Sequence, residues 1–189
     1  FDCRGHGKSE GKFEEFTISD WRKDLLDIID NVAKGPQILI GSSMGGWLMM
    51  LAAKARPQRI KGMIGLAAAP DFGKDLYNIL NKKNKKEINT KGITKYTSYG
   101  FSYYLTKKFF IEAEKNRVLK KPFRFTKPLV LIHGLKDNVV KEDVPRKILK
   151  KVTGKNVNII YIKESDHRLS NDTDLKMITQ SIDYIRKTK

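Results

Sequence analysis

Cysteine is almost missing from this chain: Cys3 stands alone, so no intrachain disulfide can form, and no Cys/His cluster shows metal-ligand spacing. Neither a metal nor a cofactor is expected. Long apolar runs are also lacking; the longest are strand- or helix-sized, short of the roughly 20 residues that a membrane-spanning helix needs. Histidine is scarce, with His6, His133 and His167 the only three, which confines any general base to a short roster. No repeat or Pro/Gly/Ser-rich linker marks a second domain, and 189 residues at 40% hydrophobic content suffice for one core. The lone cysteine fits a reducing, cytoplasmic setting, with any targeting peptide hidden because the sequence opens at Phe1 rather than Met.

Positive charge, by contrast, is in surplus. Lys and Arg number 38 against 21 Asp and Glu, a net +17, which invites a nucleic-acid or anionic-surface reading. Lysines greatly outnumber arginines and are spread through every helix-like and loop-like stretch, with no compact arginine stripe. The expectation is solvated faces, no specific nucleic-acid partner, and at most weak attraction to anionic membrane surfaces.

Chemistry is concentrated in three short phrases, of which Gly134-Leu135-Lys136-Asp137 and Ser165-Asp166-His167 are the second and third. Gly41-Ser42-Ser43-Met44-Gly45 is a G-x-S-x-G pattern set between the apolar run Ile38-Leu39-Ile40 and the helix-like Trp47-Leu48-Met49-Met50-Leu51-Ala52-Ala53. A serine on a sharp strand-to-helix turn takes a strained backbone conformation, and neighbouring glycines relieve the resulting crowding. Gly41, Gly45 and Gly46 are expected to supply that room. A serine hydroxyl is a weak nucleophile near neutral pH, so it needs a base within hydrogen-bond reach and a third group to orient that base.

His167 suits the base. It lies in a polar loop after the strand-like Val157-Asn158-Ile159-Ile160-Tyr161-Ile162. His133 ends the apolar run Leu129-Val130-Leu131-Ile132 and reads as a packed, hydrogen-bonded strand-end residue, while His6 sits in a structural glycine turn. Asp137, four residues past His133 in the phrase Gly134-Leu135-Lys136-Asp137, is the favoured orienting acid. Asp166 is its rival, although adjacent loop residues rarely aim their side chains at each other. The set is therefore Ser43, Asp137 and His167, with the Met44 backbone N–H as oxyanion donor.

Apolar runs of strand length at 38–40, 60–67, 129–132 and 157–162 alternate with helical patterns, which implies a mostly parallel sheet flanked by helices. In the first helix Trp21, Leu25, Ile28, Ile29 and Val32 share a face, Ser19 or Asp20 caps the start, and Gly35-Pro36 stops it. In the last, Asp172 or Thr173 caps a stripe of Leu175, Ile178, Ile182 and Ile185. Residues 1–189 read as one α/β domain with a helical lid inserted at about 71–126. In that insertion a charged hinge, Lys82-Lys83-Asn84-Lys85-Lys86, precedes an aromatic-rich helical patch of Tyr96, Tyr99, Phe101, Tyr103, Tyr104, Phe109 and Phe110. Gly73 and Gly92 are its candidate points of motion.

Four stretches carry a resemblance to a known family: Asp2-Cys3-Arg4-Gly5-His6-Gly7-Lys8-Ser9 with Gly11-Lys12-Phe13, Gly35 through Trp47, Ala69-Pro70-Asp71-Phe72, and Asp166-His167-Arg168-Leu169-Ser170. Together they resemble the α/β-hydrolase superfamily and, within it, the group of palmitoyl-protein thioesterases and acyl-glucuronide esterases with their bacterial relatives. The resemblance implies a cofactor-independent serine hydrolase acting on small-molecule or acylated-protein esters and thioesters. It carries nucleophile onto Ser43, acid onto Asp137 and base onto His167.

Against that family the chain opens at the end of the fourth strand, so it reads as an N-terminally truncated α/β-hydrolase. The second oxyanion donor, normally supplied by an earlier loop, is then absent from this chain. The edge of the strand at Ile38–Ile40 would lack its usual neighbour. A general carboxylesterase and a noncatalytic binding protein on the same fold are the alternatives.

Overall fold

The computed structural model describes residues 1–98 and 101–188. Along the chain run α1 (Ile18–Asp27), β1 (Gln37–Ser42), α2 (Met44–Ala55), β2 (Ile60–Leu66), α3 (Gly73–Ile79), α4 (Lys82–Lys91), β3 (Ile93–Ser98), β4 (Phe101–Thr106), α5 (Lys107–Lys115), β5 (Leu129–Gly134), α6 (Val144–Lys151), β6 (Val157–Ile162) and α7 (Asp172–Lys187). The chain divides into two compact units, Phe1–Ile28 with Asp71–Arg117, and Ile29–Pro70 with Val118–Lys189.

The second unit holds the four expected strands, hydrogen-bonded in the order β1-β2-β5-β6 with all three pairings parallel. Parallel neighbours need crossovers: α2 joins β1 to β2 and packs on both, and α6 joins β5 to β6 and packs on β6. Strand β5 is apolar throughout its first four residues and buried at all six positions, as a strand covered on both faces must be. Strand β1 lies at an edge of the sheet, with Ile40 half exposed. Ile64, Ala67, Val130, Ile132, Leu169 and Ile185 form a core cluster, against which Ile178 and Ile182 of α7 pack.

Helix α7 departs from the expected phase by one residue. Its cap is Asn171, whose side chain accepts from the Asp174 N–H at 3.0 Å while the Asp174 carboxylate accepts from the Asn171 N–H at 3.2 Å. This reciprocal box turns Asp174 inward and leaves Leu175 exposed, so Leu175 is no part of the buried stripe. A similar correction applies to α1. Thr17 is its cap, and Asp20 at the third helical position accepts from the Thr17 N–H and hydroxyl at 2.9 and 2.7 Å. Trp21, Leu25 and Ile29 are buried as read, but Val32 is exposed. The chain from Ile28 to Val32 is a π-helical turn, whose wider winding carries Val32 off the 3.6-residue stripe.

In the first unit the insertion differs from an all-helical lid. Helices α3, α4 and α5 are accompanied by an antiparallel hairpin, β3 with β4, that carries Tyr96, Tyr103 and Tyr104. Tyr99 and the side chain of Phe101 lie outside the described residues. The lysine run is helix α4 rather than a hinge, capped by Asn81 and ended by Gly92 in the left-handed region at φ 77°. Gly73 is where α3 meets α5: a Cβ there would stand 2.6 Å from that of Ala113. Phe109 is buried, edge-on to Phe110 and tilted against Phe72 and Trp21, so part of the aromatic patch is this unit's own core. His6 belongs to it too, edge-on to Phe13 and Trp21 with Nδ1 3.2 Å from the Arg4 carbonyl.

Candidate active site

Ser43 follows β1 and precedes α2, in a backbone conformation of φ 51° and ψ −117° that non-glycine residues rarely adopt. Three backbone hydrogen bonds hold it there. Its N–H donates to the Leu66 carbonyl at 2.8 Å, and its carbonyl accepts from Gly46 and Ala69, each at 3.0 Å. Steric fit does the rest. A Cβ on Gly41 would collide with the Gly45 carbonyl, and one on Gly46 with the Ala68 side chain. At Gly45 a Cβ would meet nothing within 4 Å, so this glycine, expected to give room, is not required by contact. Met44 opens α2, and first-turn N–H groups have no acceptor inside the helix, so the positive end of the helix dipole falls at the serine.

Asp137 and His167 meet across the ends of β5 and β6. Nδ1 of His167 lies 2.9 Å from Oδ2 of Asp137, the carboxylate being fully buried and the imidazole 23% exposed. A carboxylate accepts, so Nδ1 carries the proton and Nε2 is left as the basic nitrogen. The other oxygen of Asp137 accepts from the backbone N–H groups of Val139 and Val140 at 2.8 and 2.9 Å. Burial pushes the Asp137 carboxyl up, but the hydrogen bonds from His167, Val140 and Val139 outweigh it and hold the group below its ordinary value. Asp166 turns elsewhere: its Oδ1 accepts from the Arg168 N–H at 2.9 Å within its own loop.

The two loops are stitched together by backbone. Leu135 N–H donates to the Ile162 carbonyl at 2.9 Å and Lys136 N–H to the Ser165 carbonyl at 2.9 Å. A Cβ on Gly134 would strike that Ser165 carbonyl, which explains the glycine. The Ser165 hydroxyl donates to the buried Asp174 carboxylate at the head of α7. Asp174 and the anchoring role of Ser165 are not legible in the sequence; a serine two residues before the base, with an acidic helix start nine residues on, is the available signal. His133 is wholly buried, as a strand-end residue should be, yet its Nε2 is also 3.8 Å from the Asp137 carboxylate. Among the described residues no group of three or more His, Cys, Asp or Glu could hold a metal ion, and no helix is long and apolar enough to cross a membrane.

A parallel sheet with crossover helices, a strained serine between strand and helix, and a carboxylate–imidazole pair at the strand ends are the marks of the α/β-hydrolase fold. Residues 1–98, just over half of the chain, match the Hydrolase_4 family, described as serine aminopeptidase, S33, and the chain belongs to that family. It is 41% identical over 187 residues to the human protein named "Palmitoyl-protein thioesterase ABHD10, mitochondrial", an overlap covering 97% of this chain and 61% of that protein. The chain thus spans about three-fifths of the length of the curated relatives it matches. Among solved structures, mouse alpha/beta hydrolase domain-containing protein 10 superposes with a TM-score of 0.87 at 38% identity, covering 97% of this chain and 75% of that one. A putative hydrolase from Agrobacterium vitis S4 gives 0.90 at 29% identity over 97% and 74% of the two chains.

Proposed function

We propose that this chain carries the catalytic residues of a serine hydrolase that cleaves acyl thioesters or carboxylic esters, long-chain S-acyl groups among them. The observation that carries the reading is Ser43 held at φ 51° at the head of α2, in the same compact unit as the hydrogen-bonded His167–Asp137 pair. His167 Nε2 takes the Ser43 proton as Oγ attacks the acyl carbonyl, and the Met44 N–H donates to the oxyanion. Collapse breaks the acyl–sulfur or acyl–oxygen bond, and the leaving thiolate or alkoxide takes the proton from His167. Water then repeats the attack on the acyl-enzyme, releasing a carboxylic acid and restoring Ser43.

The names of the curated relatives support a thioester substrate, small or protein-borne. A second oxyanion donor would come from the part of the relatives that this chain does not span, and supplying that part is expected to raise kcat by about 10²–10³. The net +17 charge supports weak, salt-sensitive attraction to anionic membrane surfaces. For location, the lone cysteine supports the cytoplasm and the relatives' names support the mitochondrion, which imaging of the whole gene product separates.

The test is labelling by a fluorophosphonate probe in the whole gene product, with Ser43→Ala and His167→Ala as controls. Labelling lost in both variants is the expected result; a folded, unlabelled protein would favour a noncatalytic role. A panel of short esters and long-chain acyl thioesters then ranks the thioesterase against the general carboxylesterase.

A further inference from the structure

Building on the serine-hydrolase reading, we propose that His133 is a positioning residue: it fixes the turn that presents Asp137 to His167. His133 stands at the end of β5, four residues before Asp137, with its side chain wholly buried. Its Nε2 lies 3.1 Å from the Val140 carbonyl. A carbonyl can only accept, so Nε2 bears the proton and the ring is the neutral Nε2–H tautomer. Nδ1 is buried and finds no hydrogen-bond partner among the described residues.

Val140 is the pivot of the arrangement. Its carbonyl accepts from His133, and its N–H donates to Asp137 Oδ1 at 2.9 Å. One residue of the turn is therefore gripped from the strand side by an imidazole and from the loop side by the acid. The carboxylate sits between two imidazoles, with Oδ2 2.9 Å from His167 Nδ1 and 3.8 Å from His133 Nε2. Only His167 bonds it, and the pair is undisturbed while His133 stays neutral.

Protonating His133 would change this balance. The new N–H at Nδ1 would be buried without an acceptor, and a full positive charge would face Oδ2 in competition with His167. Burial pushes the His133 pKa down from its ordinary value; Asp137, the Val140 carbonyl and Glu142 pull it up, and His167 pushes it down. Tyr161 of β6 meets the ring edge-on, its centroid 6.2 Å away. The net shift is downward, so the ring is neutral near neutral pH and charges only in acid.

Two replacements separate the donor from the charge. His133→Gln keeps an N–H for the Val140 carbonyl and cannot be protonated; His133→Phe removes the donor. In histidine-labelled protein the downfield proton of His167 Nδ1–H is expected in the parent and in His133→Gln, and lost in His133→Phe. With substrate, His133→Phe is expected to lower kcat roughly 10–100-fold at unchanged KM. His133→Gln, which keeps the donor, is expected to keep the parent kcat and KM. A His133→Phe protein that keeps both the downfield proton and the parent kcat would overturn the proposal. So would a folded His133→Gln protein that loses the downfield proton and the parent kcat although its side chain still offers an N–H, which decides the matter if His133→Phe fails to fold. Loss of all hydrolysis in the parent would refute the serine-hydrolase reading instead, and the proton signal would still report whether His133 holds the pair.

Discussion

The elbow that carries Ser43 and the loops that carry Asp137 and His167 are held by opposite means. At the elbow nearly everything is backbone: an unusual φ, three main-chain hydrogen bonds and glycines packed where no methyl fits. In the loops main-chain bonds join the two turns, but side chains set the acid and the base themselves: a buried carboxylate taking three donors, an imidazole gripping a turn, a hydroxyl on a buried acid. The elbow is thus indifferent to protons and, at Gly41 and Gly46, intolerant of added atoms. The acid–base pair answers to pH and to the loss of single polar atoms.

The sharpest probe of that contrast is Asp137→Asn, which keeps the shape but removes the charge and offers His167 the wrong partner. A drop of about 10⁴ in kcat in a protein that still unfolds cooperatively is expected, read from steady-state kinetics beside thermal unfolding. Next in size is an addition at the elbow. Gly41→Ala must push the Gly45 carbonyl aside, at about 1–3 kcal/mol of stability. Gly45→Ala, with open space, is expected to be neutral or to stabilise by up to about 1 kcal/mol through helix propensity. Equal losses in the two variants, measured by denaturant unfolding, would break the account of the elbow.

A pH series sharpens the same comparison. Asp137 is held below its ordinary value of 3.8, so its contribution to stability is complete above that value and is lost as pH falls through the lower folded value. Melting curves should show the parent losing its advantage over Asp137→Asn only below pH 3.8. The smallest effect is reserved for Asp166→Ala. Among the described residues its carboxylate bonds only its own loop, so kcat/KM is expected within about threefold of the parent, matching about 0.5 kcal/mol for a surface change. A loss approaching that of Asp137→Asn would transfer the orienting role to Asp166.

Much of this could be read along the chain because it depends on local pattern. The four parallel strands are short apolar runs between turn residues, and Asp137 and His167 were named from their places after two of those runs, 30 residues apart and 2.9 Å from each other in space. What escaped depends on phase or on tertiary contact. One π-helical turn rotates Val32 outward, and one capping box exchanges Leu175 for Asp174, shifts that a count of 3.6 cannot register. The antiparallel pair Ile93–Ser98 and Phe101–Thr106 reads as helix in the sequence, although Ile93, Thr94, Tyr96, Thr97, Tyr103 and Tyr104 are strand-forming types, because lysines and aromatics of the neighbouring helices blur its alternation. The grip of His133 on Val140 joins a strand end to a turn seven residues on, and no spacing rule encodes it.

The main-chain bonds from Leu135 to Ile162 and from Lys136 to Ser165 run the β5–β6 ladder past its nominal ends and into the loops themselves. Those two amides cannot exchange with solvent deuterium until the ladder beneath them parts, so they should show the protection of the inner strands rather than that of a surface turn. Acid and base therefore open together or not at all, and their separation is inherited from the sheet.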